Sequence, residues 1–183
     1  MCASYLQHLS GAELQALQEA FTGKKEPVET PPKGIRKPSL PSFVLMREGF
    51  VSANFGIPLD KSLQINGRIE SIVDRPYYRR GEWKRGMLPV SSFFEYDSAK
   101  HPIEMNMTGT PTFLATLHRE ERFLIITREA TEQTKDIHPR LPYLLKESEV
   151  RPYLFNELSF EELLHAVRAE EPELELSGQM RLF

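Results

Sequence analysis

Cysteine is almost missing from this chain: there is one, Cys2, in 183 residues. That excludes an internal disulfide and a multi-cysteine zinc site, and it suits a reducing compartment. No apolar run approaches the ~18 residues of a membrane-spanning helix. The opening MCASYLQHLS has neither the basic nor the apolar region of a secretory signal. The expectation is a cytoplasmic protein without membrane contact. The phosphate-cradling patterns GxxxxGK(S/T) and GxGxxG are absent, as is HExxH. The five histidines (His8, His101, His118, His138, His165) have no ligand-like spacing. No cofactor and no metal are therefore expected. No heptad pattern signals a coiled coil, and the expectation is a monomer.

What is present is enough for one core: 40% of the residues are hydrophobic and 27% charged. The net charge of −3 argues against a globally basic nucleic-acid binder. It hides an asymmetry, because residues 147–175 hold nine acids against Arg151 and Arg168. The stretch 66–86 instead carries Arg68, Arg75, Arg79, Arg80, Lys84 and Arg85, interleaved with Tyr77, Tyr78 and Trp83. Cations with aromatics suit a single-stranded nucleic acid, charge tracking phosphates and rings stacking on bases. The same residues also fit a solvated loop with a few rings in the core.

Ser10 and Glu13 form a capping box ahead of Leu14, Leu17 and Phe21, which predicts a helix over 11–22. Five prolines within 23–41 predict an irregular connection. Strands are expected at 43–46, 50–55, 63–70, 87–96, 102–107, 112–118 and 122–128, with another candidate at 141–145. A second capping box, Ser159 with Glu162, precedes the apolar face Phe160, Leu163, Leu164 and Val167. Many short strands with helices at the ends predict an α+β fold on a largely antiparallel sheet.

Cys2 matters for its position. Methionine before a small residue is normally trimmed, which would make Cys2 the chain's first residue. Its α-amine would then titrate near ~8 and its thiol near ~8.5. Together they can trap an aldehyde: the amine forms a Schiff base and the thiol closes it to a five-membered thiazolidine. Position 2 can also be cysteine by chance.

Four segments in order carry a resemblance: Met1-Cys2, INGRIES at 65–71, LPVSSFFEYD at 88–97, and RFLIITREATEQTKDIHPRLPYLL at 122–145. With PTFLATLH at 111–118, they resemble the SRAP family (SOS-response-associated peptidase domain). The resemblance covers most of 1–165 and implies a single SRAP-like domain over 1–169. Its fold would be a curved, barrel-like sheet core flanked by helices. It also implies sensing of abasic sites in single-stranded DNA, with covalent capture through the N-terminal cysteine. The family name records a peptidase activity, whose plainest form is removal of Met1.

By the same resemblance, Cys2 is the nucleophile, Asn66 holds the N-terminus and the sugar, and Glu95 and His138 move protons. Asn66-Gly67 is also the strongest short hairpin-turn signal. Glu95 sits among Phe93, Phe94 and Tyr96, a setting that raises a carboxyl pKa if it faces inward. Arg68, two residues beyond Asn66, would share its side of a strand and clamp a phosphate. Arg75, Arg79, Arg80 and Thr127 fall where the family meets DNA. Phe55, in NFGIP, stands where the family has a tryptophan, and would either stack on a base or be buried. The chain departs from the family at MCAS for Met-Cys-Gly-Arg, at Gly67 for alanine and at Tyr96 for tryptophan.

Residues 170–183 read as an acidic, flexible tail. Its end, Gln179-Met-Arg-Leu-Phe183, resembles the bacterial sliding-clamp-binding pentapeptide, with Gln179, Leu182 and Phe183 as anchors. Two rival readings stand beside abasic-site capture. One is a cysteine-type peptidase using Cys2, Glu95 and His138, and the other is a non-catalytic module binding single strands or the clamp.

Overall fold

The computed structural model describes residues 2–107, 111–132, 134–166 and 174–177. In chain order the elements are β1 (Ser4–Leu6), α1 (Gly11–Thr22), β2 (Ile35–Arg36), β3 (Pro41–Met46), β4 (Gly49–Phe55), β5 (Ile57–Leu59), β6 (Ser62–Gln64) and β7 (Asn66–Arg68). Then come α2 (Ile69–Asp74), α3 (Pro76–Arg80), β8 (Lys84–Val90), β9 (Ser92–Tyr96), β10 (Pro102–Met107), β11 (Thr112–Arg119) and β12 (Arg122–Glu129). The chain continues through β13 (Arg140–Pro142), β14 (Leu144–Leu145), α4 (Glu147–Leu154), α5 (Phe160–His165) and β15 (Leu174–Ser177). The class is α+β, as expected.

The strands β12, β4, β3, β8 and β11 pair in turn, and β11 pairs back to β12, so the larger sheet closes into a barrel. Closure removes the unpaired edges that an open sheet would present. Side chains alternate across each strand. Phe123 and Ile125 thus join one buried cluster, with Cys2, Tyr5 and Phe55, while Leu124 and Ile126 join another beneath the helices. At Gly86 a Cβ would lie 2.6 Å from Val44 Cγ1 and 2.8 Å from Thr116 Oγ1, so the backbone there comes too close for any side chain.

The second sheet runs β15-β10-β9-β1-β2. The apolar run 87–96 was expected as one strand, but it breaks at Ser91, whose N–H donates to Leu6 O at 2.8 Å. The break lets β8 serve the barrel and β9 serve the second sheet. Leu174–Ser177 also pairs with β10, so this part of the expected flexible tail is an edge strand. The clamp-like residues Gln179, Leu182 and Phe183 lie outside the described residues, as does Val167.

Helix α1 has the expected bounds. Ser10 Oγ accepts from Glu13 N–H, the Glu13 carboxylate accepts from Ser10 N–H, and Gly23 ends the helix at φ 76°. Leu14 and Phe21 face inward, Phe21 meeting Phe113 edge-on. Three helices have no counterpart in the sequence reading. Helices α2 and α3 are too short to show a helical period, although Pro76 at the first turn of α3 is well placed there. Helix α4 contains Pro152 and starts without a Ser or Thr cap; Glu149 accepts from Lys146 N–H instead. Its Tyr153 is fully buried and donates to Thr116 O at 2.8 Å, fastening the helix to the barrel.

Candidate active site around Cys2

The site is built where β12 leaves the barrel. The first half of β12 lies between β11 and β4; its last residues lie between β7 and β13. Asn66 and Arg68 stand opposite Ile125 and Thr127 in a parallel register. Asn66-Gly67 is therefore strand, and the hairpin alternative is overturned. A turn would have lost the β12 hydrogen bonds that this short segment gains. At Gly67 a Cβ would come 2.9 Å from Leu124 Cδ1, so an alanine here would require the end of that side chain to shift.

Strand β1 brings the N-terminal residues to the same place. It pairs with β9, with Ser4 opposite Phe94, and it leaves Cys2 near enough to Glu95 for the carboxylate's charge to act on the thiol. Cys2 is fully buried, and Asn66 Nδ2 donates to its carbonyl oxygen at 3.0 Å. Asn66 Oδ1 is buried and has no partner among the described residues. The thiol sits 3.7 Å from Ser4 O. Burial first, and then the charge of Glu95, push the thiol pKa well above its ordinary value, so the sulfur is protonated at neutral pH.

Glu95 is fully buried too, and burial raises its pKa to about 7. Between the two sequence readings for Glu95, inward or outward, the structure has it inward. A carboxyl of this kind is divided between acid and base near neutrality, which suits proton transfer in either direction. His138 lies in the loop between β12 and β13. Its Nδ1 lies 2.8 Å from Arg140 O and 3.0 Å from Arg140 N, so according to tautomer it donates to the carbonyl or accepts from the N–H. Burial pulls the His138 pKa below its usual value, while the backbone of Arg140 acts the other way. Its neighbour Ile137 and Asn66's neighbour Ile65 both pack against the cluster that contains Cys2.

Arg140 is the residue that the sequence reading passed over. Its guanidinium makes a two-pronged contact with Glu70, Nη2 to Oε2 at 2.9 Å and Nη1 to Oε1 at 3.3 Å. Its Nη2 also donates to Thr127 O at 2.9 Å, and its Nε to Thr127 Oγ1 at 3.4 Å. It thereby ties α2, the end of β12 and the His138 loop together. The available signal was its place in the Asp-Ile-His-x-Arg run.

Two expected DNA contacts need correction. Thr127 is fully buried and its hydroxyl faces Arg140, so its side chain holds the arginine and offers no open surface to a strand of DNA. Phe55 is fully buried, stacked on Phe123 with ring centroids 5.3 Å apart and edge-on to Tyr5. It is a core residue with no ring face open to a base. Arg68, Arg75, Arg79 and Arg80 are exposed, with Arg79 Nε donating to Val73 O at 2.8 Å. Tyr78 and Trp83 pack on Tyr77, itself exposed, so the basic run is a short helix with an aromatic cluster at its base. Among the described residues no group of three or more His, Cys, Asp or Glu could hold a metal ion.

The family model of SRAP, SOS response associated peptidase, matches residues 1–178. The chain belongs to the SRAP family. The abasic site processing protein YoaM of Bacillus subtilis (strain 168) is 30% identical over 105 residues, which is 49% of this chain and 46% of that relative. The chain thus aligns with about half the length of this curated relative. Among solved structures, a phage-related protein from Bordetella bronchiseptica superposes with a TM-score of 0.73 at 18% identity, covering 97% of this chain and 95% of that one. A second Bordetella bronchiseptica protein gives 0.70 at 17% identity over 96% and 99%. A Bacteroides thetaiotaomicron protein gives 0.62 at 19% identity over 75% and 74%. At these identities the likeness is one of fold. The SRAP fold sets β1, β7, β9 and the end of β12 around residue 2, and the four residues named for chemistry lie on or beside those elements.

Proposed function

We propose that this SRAP protein, once Met1 is removed, captures abasic sites in single-stranded DNA as a thiazolidine on Cys2. The observation that carries the proposal is the buried Cys2, held by Asn66 beside a carboxyl group whose pKa is about 7. Family membership supports it, as does similarity to a relative named for abasic site processing.

The open form of an abasic sugar is an aldehyde. The Cys2 amine adds to its carbon, and the resulting hydroxyl leaves as water to give an imine. Sγ then bonds to that carbon, and the thiol proton ends on the ring nitrogen. Aldehyde and aminothiol thus yield thiazolidine and one water. Because the thiol is protonated, it needs a base, and the Glu95 carboxylate is placed to serve; in its acid form Glu95 can release the water. Asn66 fixes the backbone of residue 2 and leaves Oδ1 to accept from the amine or the sugar. His138 transfers, through Nε2, the proton that opens the sugar ring.

Met-free protein mixed with single-stranded DNA containing one abasic site should give a shifted band on a denaturing gel, and Cys2→Ala should give none. Equal crosslinking by that variant would sink the proposal. A cysteine peptidase would instead cleave peptides in a Cys2-dependent way without crosslinking DNA.

Arg68, Arg75, Arg79 and Arg80 serve as phosphate contacts in this reading. Replacing Arg75 and Arg80 together by Gln should flatten the slope of log affinity against log salt by roughly 1 to 2. An unchanged slope, measured by fluorescence anisotropy, would remove the basic run from the interface. The tail anchors Gln179, Leu182 and Phe183 would dock in an apolar groove of the sliding clamp. Deleting 179–183 should abolish clamp binding in calorimetry and spare crosslinking; retained clamp affinity would dispose of the tail's role.

A further inference from the structure

The barrel has a second mouth, at the turns that join β3 to β4 and β11 to β12. A cavity of about 360 Å³ opens there. His118 in its wall stands opposite Phe123, about 13 Å along β12 from the Thr127 end where the Cys2 site lies. Three separate turns each lend the cavity a carboxylate: Glu48 after β3, Glu82 ahead of β8, and Glu120 after β11. Lys84 offsets one of these charges, and Met46 and Val51 supply an apolar wall. The contact of Glu48 with Arg47 is exposed on both sides at 3.5 Å, so it holds the carboxylate weakly.

The acidic rim alone would assign nothing. The second observation is His118, which is 8% exposed and whose Nε2 has no hydrogen-bond partner among the described residues. Burial first, and then the nearby Lys84, hold its pKa below the usual value, so the ring is neutral. Thr116 Oγ1, two residues away on the same face of β11, is likewise buried without a partner among the described residues. A buried polar atom left unpaired is costly, and a ligand that completes it removes the cost. Barrel mouths are a recurrent place for such ligands.

We propose that this mouth binds an aliphatic amine or guanidine, its N–H groups donating to His118 Nε2 and to carboxylates of the Glu48, Glu82 and Glu120 rim while its methylene stem lies on Met46 and Val51. The three carboxylates repel an anion, and a metal ion finds no suitable donor group among the described residues. The same chemistry could come from a free amine or from an arginine side chain of a peptide. The site stands apart from the abasic-site reading and does not depend on it.

The test is titration of the full chain with agmatine, read by the imidazole nitrogen resonances of His118 and by calorimetry. Saturable binding that shifts Nε2 is expected. It should weaken roughly tenfold or more in His118→Phe and in the surface variant Glu48→Gln/Glu82→Gln/Glu120→Gln, which leaves the core untouched. Hexanoate, an aliphatic stem with the opposite charge, should not bind. No saturable shift at His118, undiminished binding in both variants, or equal binding of hexanoate would each overturn the proposal. A blocked peptide with a single arginine separates the sources. Tighter agmatine binding supports the site with a free amine as ligand; tighter peptide binding supports it with a partner's side chain.

Discussion

At pH 8 the Glu95→Gln protein should be about 3 kcal/mol more stable than the wild type and should crosslink abasic DNA on the order of 100-fold more slowly. The stability gain follows from burial. Glu95 has a folded pKa of about 7 against an ordinary 4.5. Below the lower value the carboxyl is protonated in both states and contributes no pH dependence. Between the two values the unfolded chain ionises and the folded one does not, so stability falls as pH rises. Above about 7 the folded group ionises as well and the loss levels off. Glutamine cannot ionise, so the variant escapes this loss. Urea unfolding at pH 4, 6 and 8 checks it: the gap between the proteins should open with pH, and a gap independent of pH would refute the assignment. The kinetic loss has the same root. Crosslinking by the wild type should rise with pH to an inflection near 7 that is missing from the variant. A matching lower inflection in both proteins would take Glu95 out of the proton transfer.

Arg140→Ala should cost about 2 kcal/mol of stability and disturb the site without touching Cys2. Breaking a buried ion pair by removing one partner typically costs ~3–5 kcal/mol. Here the Arg140 side chain is 12% exposed but Glu70 is 37% exposed, so solvent recovers part of the loss. Arg140→Lys keeps the charge but not the planar fork that meets Glu70 and Thr127 at once. It should therefore restore less than half of the lost stability. Arg140 is a positioning residue, so the telling readout is His138. In the alanine variant the β12–β13 loop loses its anchor, and the Nδ1 and Nε2 resonances should show a mixture of tautomers. An undisturbed tautomer alongside lost crosslinking would mean that Arg140 acts on DNA directly.

The sequence was most informative where physics is local. The Ser10–Glu13 box and the apolar spacing behind it gave α1 to the residue, because a capping box closes within four positions. The apolar runs of β11 and β12 were legible for the same reason. Asn66, Glu95 and His138 could be named from motifs, but not their burial, which depends on a barrel closed by strands far apart in the chain. The Arg140–Glu70 pair spans a separation of 70 residues, and nothing near either residue announces it. Phe55 misled because an aromatic side chain looks the same in sequence whether it meets a base or a core. Leu174–Ser177 misled because its acids read as tail, while its alternation with leucine suits an edge strand.

The pairing of β1 has a consequence for the order of events during synthesis. Cys2 is among the first residues made, yet its neighbours Asn66, Glu95 and the end of β12 come from across the chain. At ~5–20 residues per second the ribosome needs roughly 6–25 s to pass from residue 2 to the end of β12. Throughout that interval the cysteine is open to methionine removal, to oxidants and to stray aldehydes. Folding with Met1 still attached ends the exposure, because residue 2 is fully buried in that form. Any processing of Met1 by another enzyme therefore has a deadline, set by how quickly the distant strands arrive.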